Sequence, residues 1–97
     1  MSIVVRFNPT NLTRDQYDEV ITRLQAQGDF PPEGLSYHIF FGPDDGLKVS
    51  EVWDSHEQFE AFGPRLMPIL EEVGIQFSGP PEAVPVHAVI QRPHAYS

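Results

Sequence analysis

The chain has 97 residues, 40% of them apolar and 21% charged, which is enough for one folded domain and leaves little room for a second. Six Lys and Arg against 14 Asp and Glu give a net charge of −8, and the basic residues (Arg6, Arg14, Arg23, Lys48, Arg65, Arg92) are dispersed, so neither a phosphate backbone nor an anionic membrane finds a matching surface. The absence of cysteine excludes disulfides, cysteine-ligated zinc and thiol catalysis. The first residues, Met1 to Arg6, include neither a charged leader nor a long apolar stretch, and no run approaches the roughly 18 apolar residues of a membrane span. A soluble cytoplasmic protein is the expectation.

Ile3–Phe7 is an apolar, β-branched run closed by Asn8-Pro9, the signature of a strand. Thr13 and Gln16 have capping-box spacing, Leu12 and Tyr17 sit where a hydrophobic staple would place them, and Tyr17, Val20, Ile21 and Leu24 form one apolar helical face that Gly28 ends. Asp29 to Gly34, with Pro31-Pro32, reads as a loop. Leu35–Phe41 and Leu47–Trp53 are two further strands joined by Gly42-Pro43-Asp44-Asp45-Gly46, a hairpin connection. The paired aspartates belong to that turn; with no third ligand at a fixed offset they make a poor metal site.

Ser55 and Gln58 open a second helix whose buried stripe is Phe59, Phe62, Leu66, Ile69, Leu70 and Val73, stopped by Gly74. Proline costs about 3 kcal/mol inside a helix, so Gly63-Pro64 predicts a break with a restart at Pro64, and Pro68 a bend. Ala83–Ile90 reads as the last strand. The domain thus covers residues 1–91, and residues 92–97 form a C-terminal tail.

The order β-α-β-β-α-β predicts an α+β, ferredoxin-like fold: a four-stranded antiparallel sheet with two helices on one face. Ile3-Val4-Val5, Ile39-Phe40-Phe41 and Val84-Pro85-Val86-His87-Ala88-Val89-Ile90 lack clean apolar–polar alternation, so their strands are apolar on both faces. Two helices cover one face only. A second copy of the same sheet is the simplest cover for the other, which predicts a homodimer.

The run Val49-Ser50-Glu51-Val52-Trp53-Asp54-Ser55 leading into His56-Glu57-Gln58-Phe59 resembles the third strand and second helix of the dimeric α/β-barrel superfamily, in particular its antibiotic-biosynthesis-monooxygenase-like small proteins. His38 and Pro85-Val86-His87 are similar to a subset with His in the second strand and Pro-Val-His in the fourth. The resemblance implies a dimeric barrel and a chemistry drawn from cofactor-free monooxygenation, haem degradation or isomerisation. Haem-degrading members use an Asn after the first strand, a Trp ending the third and a His midway along the second helix. Asn8 and Trp53 match the first two. The helical position falls near Gly63, and the only histidine of that helix is His56 at its start, so haem is not expected and no cofactor is assigned.

Five residues are candidates for the site. Trp53 shares a strand face with Val49 and Glu51 and either walls a pocket or packs sheet to helix. Asn8 either donates to a bound carbonyl or peroxide, or simply ends its strand. Glu51, alone in an apolar segment, is a base or half of a salt bridge. His38 and His87 lie in nearly apolar strands where a neutral imidazole would accept a proton near neutral pH; the competing reading is two hydrogen-bonded interface histidines. The second and fourth strands are opposite sheet edges, so His38 would meet His87 from the other copy. No His-x-His or His-x₃-His spacing supports a metal. Tyr37 faces away from His38, and His56 and His94 read as a solvated helix start and a tail residue.

Two functions compete on these residues. One is a cofactor-independent monooxygenase-like enzyme acting on a small aromatic or polyketide-like molecule, with His38 or His87 as base and Asn8, Glu51 and Trp53 binding substrate. The other is a non-catalytic dimeric module that binds a small apolar ligand or stabilises a complex. A kinked second helix would lift from the sheet and open a ring-sized cavity beside Trp53, bordered by Asn8, His38 or His87.

Overall fold

Alternation in the first strand sets the layering. In β1 (Ile3–Phe7), Ile3 and Val5 are buried while Arg6 is exposed, so the odd residues face the helices and the even ones the opposite side. The computed structural model describes residues 1–90, in which α1 (Arg14–Ala26), β2 (Leu35–Phe41), β3 (Lys48–Trp53), α2 (His56–Val73) and β4 (Glu82–Pro85) follow. The sheet is antiparallel with order β2-β3-β1-β4, the predicted ferredoxin-like arrangement.

Both helices start as their sequences predict. Thr13 accepts from the Gln16 N–H while the Gln16 side chain accepts from the Thr13 N–H, closing the capping box on α1. At α2 only half the box forms: Ser55 Oγ accepts from the Gln58 N–H, then donates to the Gln58 carbonyl oxygen of the side chain. Gly74 ends α2 at φ +88°, a left-handed conformation that glycine adopts without steric cost.

Two expectations are corrected. First, α2 runs unbroken through Pro64 and Pro68. The prolines lie four residues apart on the exposed face, so the carbonyls of Glu60 and Pro64 that they leave unpaired are on the side open to water. Second, β4 is Glu82–Pro85 rather than Ala83–Ile90. One further bond, from the Val86 N–H to the Ser2 carbonyl, extends it, after which residues 87–90 are exposed and outside the sheet. The tail assigned to 92–97 lies outside the described residues.

The core lies between sheet and helices: Ile3, Val5 and Trp53 from the strands meet Val20 and Leu24 of α1, Phe62, Ile69 and Leu70 of α2, and Ile75. The opposite face of the sheet carries Tyr37, Ile39 and Phe41 from β2, Val52 from β3, Val4 from β1 and Val84 from β4. Tyr37, Ile39, Phe41 and Val84 are 38–46% exposed in the single chain. Among the described residues, no helix is long and apolar enough to cross a membrane.

A bulge in β2 decides which residues join the core. Leu35 pairs with Trp53, yet Tyr37 pairs with Val52, so Ser36 is an extra residue whose hydroxyl is tied to the Val52 carbonyl at 3.1 Å. Leu35 therefore packs against the core, and beyond the bulge His38 and Phe40 take that same face.

Candidate functional site: a buried hydrogen-bond chain beside an apolar cavity

On β3 the period of two aims Val49, Glu51 and Trp53 toward the helices. Trp53 is fully buried, and Glu51, 4% exposed, is the one charged residue of the core among the described residues. In an apolar layer a carboxylate needs partners for both oxygens. Trp53 Nε1–H donates to Glu51 Oε1 at 2.9 Å, and His38, opposite Glu51 in the β2–β3 register, meets Oε2 through Nδ1 at 2.7 Å. The far nitrogen, His38 Nε2, is 2.7 Å from the Tyr17 hydroxyl on α1.

A carboxylate only accepts, so the proton between His38 and Glu51 sits on Nδ1. In the neutral ring Nε2 then carries the lone pair, and Tyr17 O–H donates to it. The result is one polarised chain, Tyr17 to His38 to Glu51, with Trp53 anchoring the carboxylate from behind. Aromatic packing fixes its geometry. The Tyr17 ring stacks on Phe40 at 3.9 Å and 4°, and Phe30 sets its edge against His38 at 5.5 Å.

A cavity of about 60 Å³ borders this chain. Among the described residues, Tyr17, His38 and Glu51 reach its wall and the rest is apolar, with Phe7, Phe30, Phe62 and Phe77 the aromatic members and no Lys or Arg among them. Trp53 does not line it: the indole belongs to the core, behind Glu51 and Phe62, which do. Asn8 is exposed and absent from the wall; its carbonyl accepts from the Ser78 N–H at 3.0 Å, the strand-ending role. His87 falls in the exposed segment after β4, and β4 and β2 are opposite sheet edges, so within one chain His87 and His38 do not meet. Tyr37 faces away from His38 as expected. Among the described residues, no three His, Asp or Glu side chains converge as metal ligands.

Tyr17 is the member of this hydrogen-bond chain that the sequence did not single out. Its place on the buried face of α1 was legible, and the signal passed over was a hydroxyl on that face, which has to find a partner when buried. Burial, reinforced by the nearby charges of Glu51 and Asp18, raises the Tyr17 pKa above the ordinary value of 10.0. The folded protein thus keeps this proton at a pH where the unfolded chain releases it, so the contribution to stability is full below pH 10 and is lost as pH rises through the folded-state value. Urea midpoints measured from pH 8 to 11 should fall more steeply for the wild type than for Tyr17→Phe; parallel slopes would contradict this.

No family model matches the sequence, and no curated protein matches it. Solved structures do. SnoaB, a cofactor-independent oxygenase from Streptomyces nogalater, superposes with a TM-score of 0.58 at 18% identity, over 94% of this chain and 96% of its own. The monooxygenase from the gene ActVA-Orf6 of Streptomyces coelicolor, solved with the ligand nanaomycin D, gives 0.51 at 19% identity, over 94% and 91%. A conserved protein from Methanosarcina mazei gives 0.53 at 13% identity, over 87% and 89%. Over nearly its whole length, the chain has the ferredoxin-like fold of the antibiotic-biosynthesis monooxygenase-like proteins, as its Glu51-Val52-Trp53 strand implied.

Proposed function

We propose that the chain works as a small homodimeric, monooxygenase-like enzyme that removes a proton from an apolar, ring-bearing molecule without a bound cofactor. The observation that carries this reading is the His38–Glu51 pair at the wall of an otherwise apolar cavity. Cofactor-free oxygenation needs a substrate that forms a stabilised carbanion, a base to generate it and a dry site where dioxygen meets the carbon. His38 is the base. Glu51 holds its ring in the competent tautomer and balances the imidazolium that forms, and Trp53 fixes Glu51. Asn8 and His87 stand away from the cavity and are given no part in the reaction. The fold shared with SnoaB supports the reaction class by analogy. The dimer rests on the open sheet face, whose apolar side chains from all four strands are self-complementary material for a two-fold interface.

The cavity's size favours a second reading, a ligand-binding module without turnover. At about 60 Å³ it is smaller than the ~150 Å³ apolar cavity that admits benzene. A ring enters only in part unless the helices shift. Native mass spectrometry of protein purified from its own host identifies the retained molecule, and the conversion of that molecule under oxygen separates the readings. Conversion is expected, slowed about 100-fold or more by His38→Gln and unchanged by His87→Gln. Binding without conversion establishes the module, and equal rates in wild type and His38→Gln remove His38 from the chemistry.

A further inference from the structure

We propose that Tyr17, not His38, is the residue that exchanges the proton with the bound molecule, with His38 and Glu51 behind it as the place where that proton is stored. This rests on the reading of the site as a base and adds to it the group that touches the substrate.

His38 has no ring nitrogen to offer. Nδ1 is taken by Glu51 and Nε2 by Tyr17, both at 2.7 Å. With both ring nitrogens engaged, the phenol of Tyr17, which also lines the cavity, is the group through which a molecule there would reach the imidazole. The Tyr17 oxygen, once it donates to Nε2, keeps its own lone pairs free to accept. Stacking on Phe40 holds the phenol still, which suits a group that has to hand over a proton without searching for its partner.

The step balances without any further reactant. The X–H bond of the bound molecule breaks and its proton goes to Tyr17 Oη, while the proton already on Oη passes to His38 Nε2. The electron pair stays on X. The products are a substrate anion, a neutral tyrosine, and an imidazolium beside the Glu51 carboxylate. Because burial and the Glu51 charge disfavour a standing phenolate at Tyr17, the two transfers are coupled rather than sequential. Among the described residues the wall holds no Lys or Arg, so of these groups the imidazolium supplies the positive charge near the anion. The site therefore suits an uncharged molecule with one weakly acidic O–H or C–H; a substrate carrying a carboxylate or phosphate would find no counter-charge among the described lining residues.

The test uses 4-nitrophenol, a single uncharged ring that enters with the same shift of the helices and whose phenolate absorbs far to the red of its neutral form, titrated into the intact protein just below the pH at which the free probe ionises. The wild type is expected to bind it as phenolate and to move the His38 imidazole ¹⁵N signals to those of the protonated ring. Tyr17→Phe keeps the aromatic ring that stacks on Phe40, and is expected to bind the neutral probe with little change in affinity while its bound phenolate fraction falls about tenfold or more. His38→Gln should lose the phenolate as well. Phenolate retained in Tyr17→Phe and lost in His38→Gln overturns the inference and leaves His38 as the direct base. A wild type that fails to bind or ionise the probe, or a His38→Gln variant that ionises it equally well, overturns both the inference and the base reading. Weaker binding of the neutral probe in Tyr17→Phe, with the phenolate fraction intact, assigns Tyr17 to packing alone and also overturns it. Thermal unfolding of each variant confirms the fold.

Discussion

Glu51→Leu is expected to lower the unfolding free energy by about 2–4 kcal/mol, a large share of the roughly 5–15 kcal/mol that holds a domain together. The leucine fills the space but accepts nothing, so the Trp53 N–H, buried with its indole, loses its acceptor. The His38 Nδ1–H is stranded too. Moving that proton to Nε2 lets the ring donate to Tyr17 but leaves Nδ1 with an unsatisfied lone pair. Each orphaned buried group costs about 1–3 kcal/mol. Glu51→Gln should cost much less, because its amide oxygen still accepts from Trp53 and its NH₂ donates to Nδ1 of the other tautomer. That tautomer puts a proton on Nε2 and reverses the chain toward Tyr17, so the variant keeps its fold and loses its base. Urea denaturation of the pair checks this: a loss below about 1 kcal/mol in Glu51→Leu would contradict the role given to the carboxylate.

The second large effect concerns assembly. Ile39 stands mid-strand on the open face, between Tyr37 and Phe41. In a two-fold dimer every substitution is made twice. Losing the burial of one isoleucine in each copy, at about 2 kcal/mol apiece, weakens association by about 4 kcal/mol, or roughly a thousandfold in Kd. In Ile39→Asp the desolvation of two carboxylates adds to that. Sedimentation velocity at micromolar concentration should show a dimer for the wild type and a monomer for Ile39→Asp. A stable wild-type monomer would remove the interface.

The fold was legible because each element carried its own mark. Thr13 and Gln16 announced α1, Gly42 to Gly46 the hairpin, and the Glu51-Val52-Trp53 strand the neighbours in fold space. What misled was local chemistry read without its surroundings. Pro64 and Pro68 signalled a break, but their spacing puts both on the watered side of α2, where the lost hydrogen bonds are replaced. Pro85-Val86-His87 looked like mid-strand because it is apolar, yet the ladder stops one bond after Pro85. In the site, His38 and Glu51 could be singled out as polar residues in apolar strands. That they are partners depends on the β2–β3 register, which composition does not carry. Tyr17 was hidden because a tyrosine on an apolar helical face reads first as core, and only the fold shows what its hydroxyl meets.

The spare residue at Ser36 gives β2 a phase shift. Counted by twos from Leu35, the strand would send Tyr37, Ile39 and Phe41 inward and turn His38 and Phe40 outward. The bulge reverses that parity after one step, so Leu35 and His38, an odd number of places apart, share a face, and three aromatic or aliphatic side chains are released to the other. The sorting of one short strand into a side turned to the helices and a side left open is therefore encoded in a count of residues rather than in their identities. Lengthening or shortening the strand at that point changes what the domain is while leaving its composition almost untouched.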